Sequence, residues 1–129
     1  MAKLTAEMKT FLASGRDPVT VFVGTAANDG MPNISAKGTF IQVVDDQTLA
    51  YADVYSLKTM ENLKHNPKVV IAVVNTKTYK GYQFKGTGEI VDKGGLPPVC
   101  TVKISFPSRA IDPPGAVHSR DRLYVHSVT

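Results

Sequence analysis

The sequence predicts a mainly β chain with small helices, folded as a small antiparallel barrel. Three observations carry that expectation. Two runs, VTVFVGTA at residues 19–26 and VVIAVVN at 69–75, are β-branched and apolar, as strands are. The turn signals Asn28-Asp29-Gly30 and Asp45-Asp46 separate strand-like segments at hairpin spacing. Glycines 81, 86 and 88 interrupt the alternating run YKGYQFKGTGEIVDKG at 79–94, where they mark bulges, curvature or close approach of another molecule. With only short helical periods beside these strands, a barrel is the economical architecture.

In chain order, Leu4, Met8, Phe11 and Leu12 recur at the spacing of a helix with one apolar stripe, and Gly15 with Asp17-Pro18 stops it. The strand at 19–26 follows, and the Asn-Asp-Gly turn leads to a second strand from about Asn33 to Val44. After Asp45-Asp46, TLAYADV at 48–54 reads as a third strand. A short helix runs from Leu57 to about His65, with Leu57, Met60 and Leu63 or the stem of Lys64 turned inward and Pro67 enforcing its end. VVIAVVN is continuously apolar, as in a strand buried on both faces. The glycine-interrupted strand comes next. Residues 94–117 carry five prolines, which remove backbone donors and break both periodicities, and LYVHSV at 123–128 reads as a final strand.

At 129 residues, 43% hydrophobic and 20% charged, the chain fits one globular domain spanning 1–129. A net charge of +4 favours anionic partners, but the fifteen basic residues are scattered, which suits an anionic small molecule better than a nucleic-acid backbone. Cys100 is the sole cysteine, so no internal disulfide forms. The opening MAKLTAEMKTFLASG is broken by Lys3, Glu7 and Lys9, unlike a signal peptide, and no run approaches a membrane span. The expectation is a cytoplasmic protein with no membrane and no nucleic acid among its partners.

Two stretches could carry chemistry. Ser56, Lys58 and Thr59 stand at the start of the short helix, where unpaired backbone N–H groups and the positive end of the dipole make a seat for phosphate. The alternative is a plain N-cap at Ser56, a back-bonded Thr59 and a solvated Lys58. In PNISAKGTF, 32–40, Asn33, Ser35 and Lys37 alternate onto one face, and the small Ala36 and Gly38 take the other, a shape for close contact with something flat or bulky. The alternative there is an exposed edge strand with Lys37 as a guard. His65 suits a helix C-terminus, and His118, His126 and Cys100 form no metal spacing, so no metal site is expected. Cys100 reads as a small hydrophobe, and no phosphate loop or catalytic triad pattern is present.

The order VGTAANDGMPNISAKG, TLAYADVYSLKTMENLKHNPKVVIAVV and GYQFKGTGEI resembles the FMN-binding split-barrel family related to pyridoxamine 5′-phosphate oxidase, over about residues 5–92. The most specific part is the Lys-Thr, Asn-Leu and Asn-Pro series between Asp53 and Pro67, supported by the glycine turn before Pro32. The resemblance implies a six-stranded antiparallel split barrel that forms a homodimer with FMN in grooves at its interface. It implies that Lys58 and Thr59 hold the FMN phosphate, and that Ser35, Ala36, Lys37, Gly38 and Thr39 line the ribityl chain and ring. By the same resemblance Ala52 and Asp53 lie near the flavin, and Tyr82 and Gln83 approach it from the partner subunit.

This chain has no Trp and lacks the C-terminal substrate-gripping segment of the pyridoxamine oxidases, with Arg122-Leu123 only a fragment of it, which argues against that activity itself. In residues 96–114, where small relatives carry a helix, Pro97, Pro98 and Pro107 would disturb one. The expected function is an FMN-binding oxidoreductase or flavin reductase-like protein, catalytic residues and redox partner unassigned. A non-catalytic FMN carrier is the alternative. A nucleic-acid-binding barrel stacking bases on Tyr79, Tyr82 and Phe84 is a third reading, weakened by the lack of a basic stripe. Haem or a deazaflavin also suits a split barrel, and the sequence leaves both open.

Overall fold

A computed structural model of the chain describes residues 3–13, 19–37, 41–52, 57–92 and 98–111. The first helix, α1 (Ala6–Leu12), is capped by Thr5, whose hydroxyl accepts the Met8 N–H at 3.2 Å. Its apolar stripe docks as the spacing predicts: Leu4 and Leu12 are buried, and Met8 and Phe11 pack on the core. Phe11 meets Tyr82 edge to face with centroids 5.4 Å apart. Lys9 pairs with Asp46, and the Leu4 N–H donates to the Asp46 carbonyl at 2.7 Å, so the helix is tied to one turn of the sheet.

The strands are β1 (Val19–Ala26), β2 (Pro32–Lys37), β3 (Gln42–Asp45), β4 (Thr48–Ala52), β5 (Lys68–Asn75), β6 (Gly81–Val91), β7 (Val99–Ile104) and β8 (Arg109–Ile111), and α2 (Leu57–His65) lies between β4 and β5. All pairings are antiparallel, in the order β2-β1-β5-β6-β7-β4-β3 with β8 beside β6. The β1–β2 turn forms as Asn28-Asp29-Gly30 predicts: Gly30 takes φ +91°, and the Asp29 carboxylate accepts the Met31 N–H at 3.0 Å.

Eight strands are described where six are expected: two causes add three strands, and one expected strand is not among those described. The expected second strand, 33–44, is two strands, because β2 pairs with β1 while β3 pairs with β4 at the other end of the order. The proline-rich segment, where relatives suggested a helix, instead holds β7 and β8. They lie along one edge of β6, with Gly86 to Val91 facing β7 and Gly81 to Gln83 facing β8, and the chain steps out at 105–108. The N–H groups of Ser105 and Phe106 both donate to the Lys85 carbonyl at that step, at 3.0 and 3.3 Å. The expected strand at 123–128 lies outside the described residues.

The sheet is curled. β2 and β3 end the strand order, yet only residues 38–41 separate them, which caps the gap from Lys37 to Gln42 at roughly 17 Å. Inside the curl lie Val21, Val23, Leu49, Tyr51, Val69, Ile71, Val73, Phe84, Cys100 and Val102, all buried. A Cβ at Gly86 would collide with the Lys103 carbonyl on β7, so the close approach at this glycine is that of a neighbouring strand of the same chain. β5 corrects the expectation of burial on both faces: Val69, Ile71 and Val73 are buried, whereas Val70, Ala72 and Val74 are only half-buried. The reason is that the core covers one face of β5 alone.

Candidate functional site

The register of β1 and β2 places Asn33 opposite Thr25, Ser35 opposite Val23 and Lys37 opposite Val21. These β2 residues share the face of the buried β1 side chains and are half-buried, while Pro32, Ile34 and Ala36 are exposed on the other face. Period-2 alternation makes this division inevitable once the β1 core face is set. β2 ends the strand order, as the edge-strand reading expects, but its polar row turns inward and Lys37 is half-buried, not an exposed guard.

α2 packs against β1, β2 and β6 by a face that keeps Leu63 of the expected one but is otherwise turned. Thr59, Asn62 and Leu63 are buried, at i, i+3 and i+4, whereas Leu57, expected inward, is 83% exposed and Met60 is half-buried. Two buried polar groups turn the helix that way. The Asn62 amide donates to the Thr25 hydroxyl of β1 at 3.1 Å, and the Thr59 hydroxyl lies 3.1 Å from Ser35 Oγ and 3.5 Å from Asn33 Nδ2. Thr25, Thr59 and Asn62 are each at most 5% exposed, so these contacts satisfy groups that would otherwise be costly to bury.

The start of α2 and the polar row of β2 therefore meet. Thr59 joins Asn33 and Ser35, and Lys58 is exposed on the first turn of the helix. Lys37, the next member of the row, holds its Nζ 5.7 Å from the centroid of the Tyr51 ring on β4. Ala52, half-buried, follows Tyr51 at the end of β4. Gly38, Thr39, Asp53, Ser56, His118 and His126 lie outside the described residues.

Tyr82 and Gln83 stand apart on β6. Tyr82 faces inward against Phe11 and Phe84, and Gln83 lies opposite Ala72 in the next row. Of the three aromatic residues considered as a stacking platform, Phe84 is buried, Tyr82 half-buried and Tyr79 exposed. Cys100 is buried as a small hydrophobe is, and His65 is exposed at the C-terminal end of α2. Among the described residues, no group of His, Cys, Asp and Glu is placed to hold a metal ion. Reading the sequence missed Asn62 and Thr25. Their signal was a polar residue at the inward spacing of each element.

A family model described as pyridoxamine 5′-phosphate oxidase matches residues 4–98. The chain belongs to the pyridoxamine 5′-phosphate oxidase family. An uncharacterized protein of Methanocaldococcus jannaschii is 38% identical over 96 residues, 73% of this chain; the chain spans about 60% of the length of that curated relative. Among solved structures, HupZ of Group A Streptococcus is similar at a TM-score of 0.70 and 27% identity, covering 83% of this chain and 98% of its own. An FMN-binding protein from Syntrophomonas wolfei follows at 0.65 and 17%, covering 82% of this chain and 84% of that one. HutZ, described as the haem storage protein of Vibrio cholerae, stands at 0.63 and 15%, with 86% and 96% covered. The last two likenesses show the fold alone. Family membership agrees with the antiparallel barrel and small helices seen here. No helix among the described residues is long and apolar enough to cross a membrane.

Proposed function

We propose that the chain is an FMN-binding flavoprotein, acting as an oxidoreductase or flavin reductase-like protein in a homodimer. The observation that carries this reading is the meeting of Asn33, Ser35 and Thr59 between β2 and the first turn of α2, with Lys58 exposed beside them. Hydroxyl, amide and ammonium donors at a helix start fit a phosphorylated, polyhydroxylated chain. Lys58 would neutralise the phosphate, and Ser35 and Asn33 would face the ribityl chain. Lys37 adds positive charge along the same strand, which favours electron density on a ring placed there. Electron or hydride transfer is the chemistry that bound FMN supplies.

Haem is the competing ligand. The hydroxyl, amide and ammonium donors at β2 and α2 suit a phosphorylated flavin, and His65, the histidine among the described residues, sits roughly 10 Å along α2 from Lys58. That position also leaves it out of proton transfer at the site, so catalysis would rest on cofactor potential and access. An FMN carrier without a dedicated substrate is the milder form of the same proposal, and steady-state NAD(P)H oxidation by the FMN-loaded protein separates the two.

A second copy of the chain is the partner this reading needs. The half-buried apolar row of β5, with Phe22 on β1 and the exposed Ile34 on β2, forms one outward face, and Met31 and Leu57 are exposed as well. Contiguous apolar surface of this kind marks an association site, and a two-fold pairing would cover it on both copies. Burial of Phe84 and half-burial of Tyr82 in the stacking trio support leaving nucleic acid out.

The test is titration of the purified chain with FMN and riboflavin, followed by flavin fluorescence. FMN should bind more tightly, and Lys58→Ala should weaken it by about 1.5–3 kcal/mol. Equal affinity for both flavins would remove the phosphate seat. Sedimentation should give a dimer, and a monomer that holds FMN tightly refutes the interface.

A further inference from the structure

Thr59 is expected to touch phosphate, yet its side chain is 1% exposed and its hydroxyl is engaged by β2. A hydroxyl has one proton and two lone pairs. The Asn33 amide nitrogen can only donate, so it occupies a Thr59 lone pair. Two arrangements remain for the 3.1 Å contact with Ser35. If Ser35 donated, the Thr59 proton would lack an acceptor among the described residues, at a nearly water-free position, and such an orphan is costly. If Thr59 donates, its buried hydroxyl is satisfied and the Ser35 proton is released toward the half-buried side of β2.

We propose that Thr59 is a positioning residue: the chain Asn33 to Thr59 to Ser35 orients Ser35 so that its O–H is the donor offered to an oxygen of the phosphorylated ribityl chain. The inference rests on the FMN reading above. Each donation in the series polarises the next hydroxyl, which strengthens the terminal donor. Ser35, on the half-buried row, thereby takes the contact that the helix position of Thr59 suggested for Thr59 itself.

The experiment measures dissociation constants of FMN, riboflavin and lumiflavin, which lacks the whole ribityl chain, for the wild type, S35A, T59V, T59S and the S35A/T59V double variant. Urea unfolding of each reports its fold. S35A and T59V should each weaken FMN about tenfold, the double variant should be little weaker than either, and T59S should bind nearly as the wild type does. Lumiflavin binding should not change. A loss shared by riboflavin places the acceptor on the ribityl hydroxyls, and a loss confined to FMN places it on the phosphate; both support the proposal. Wild-type affinity in S35A, additive losses in the double variant, or an equal loss for lumiflavin overturns it. Should T59V not fold, S35A and T59S still decide, since unchanged binding in S35A is fatal. A wild type that binds no flavin brings down the FMN reading and this inference together, whereas unchanged variants of a flavin-binding wild type bring down this inference alone.

Discussion

Lys37 on β2 holds its ammonium 5.7 Å from the centroid of the Tyr51 ring on β4, although these strands lie near opposite ends of the sheet. The contact spans the seam at which the sheet curls on itself. It gives a half-buried cation a buried aromatic face, and it holds that cation on the polar row of the candidate site.

Lys37→Met keeps most of the stem and removes the charge. The flavin-free protein should lose about 0.5–1 kcal/mol of stability in urea unfolding. In the FMN-loaded protein the midpoint potential should fall, because a positive charge near the ring is gone; an unchanged potential would place Lys37 away from the ring.

Asn62→Ala should cost about 1–3 kcal/mol, since it leaves the buried Thr25 hydroxyl without the amide that donates to it. The urea midpoint should drop while the slope stays constant, the sign of a change in stability alone.

Gly86→Ala and Gly30→Ala should both destabilise, for different reasons. At Gly86 the new methyl meets the Lys103 backbone, and relieving the clash should cost about 1–3 kcal/mol. At Gly30 there is open space, and the cost comes from φ +91°. Gly30→Asn should therefore recover part of the loss seen in Gly30→Ala, whereas Gly86→Asn should be worse than Gly86→Ala. Thermal melts of the four variants check the ordering.

Acid should loosen the seat of α1. The Lys9 ammonium, by hydrogen bond and charge, holds the Asp46 carboxyl below its ordinary range, and the Gln47 N–H with the Thr48 hydroxyl does the same for Asp45. A carboxyl lowered in the folded state contributes stability above its unfolded pKa and loses it as pH falls through the folded value. Stability should thus decline below about pH 4, and Asp46→Asn should flatten part of that decline. Both groups are solvent-exposed, so added salt should shrink the difference.

Much of this molecule was legible in order along the chain. The α1 stripe, the Asn-Asp-Gly turn, the β1 and β5 runs and the polar alternation of Asn33, Ser35 and Lys37 depend on near neighbours, and each is found where its pattern predicts. VCTVKI, now β7, was not legible as a strand: Cys100, Val102 and Ile104 are buried and alternate with outward residues, but this short period-2 signal is hidden by the prolines around it. Resemblance then put the candidate cofactor residues mainly on β2 and α2.

What the sequence by itself determined, then, was the type of most elements and the inward face of α1, β1 and β2, because helical and strand periodicities are local properties of a chain. Only the tertiary structure decided which partner each face meets. The crossing from β2 to β3 carries the chain between opposite ends of the sheet, and the seating of Lys37 over Tyr51 and the turning of α2 onto Asn62 and Thr59 instead of Leu57 join residues from 14 to 37 positions apart. Such contacts are selected by the joint satisfaction of buried polar groups and core packing, and no window along one strand contains both partners.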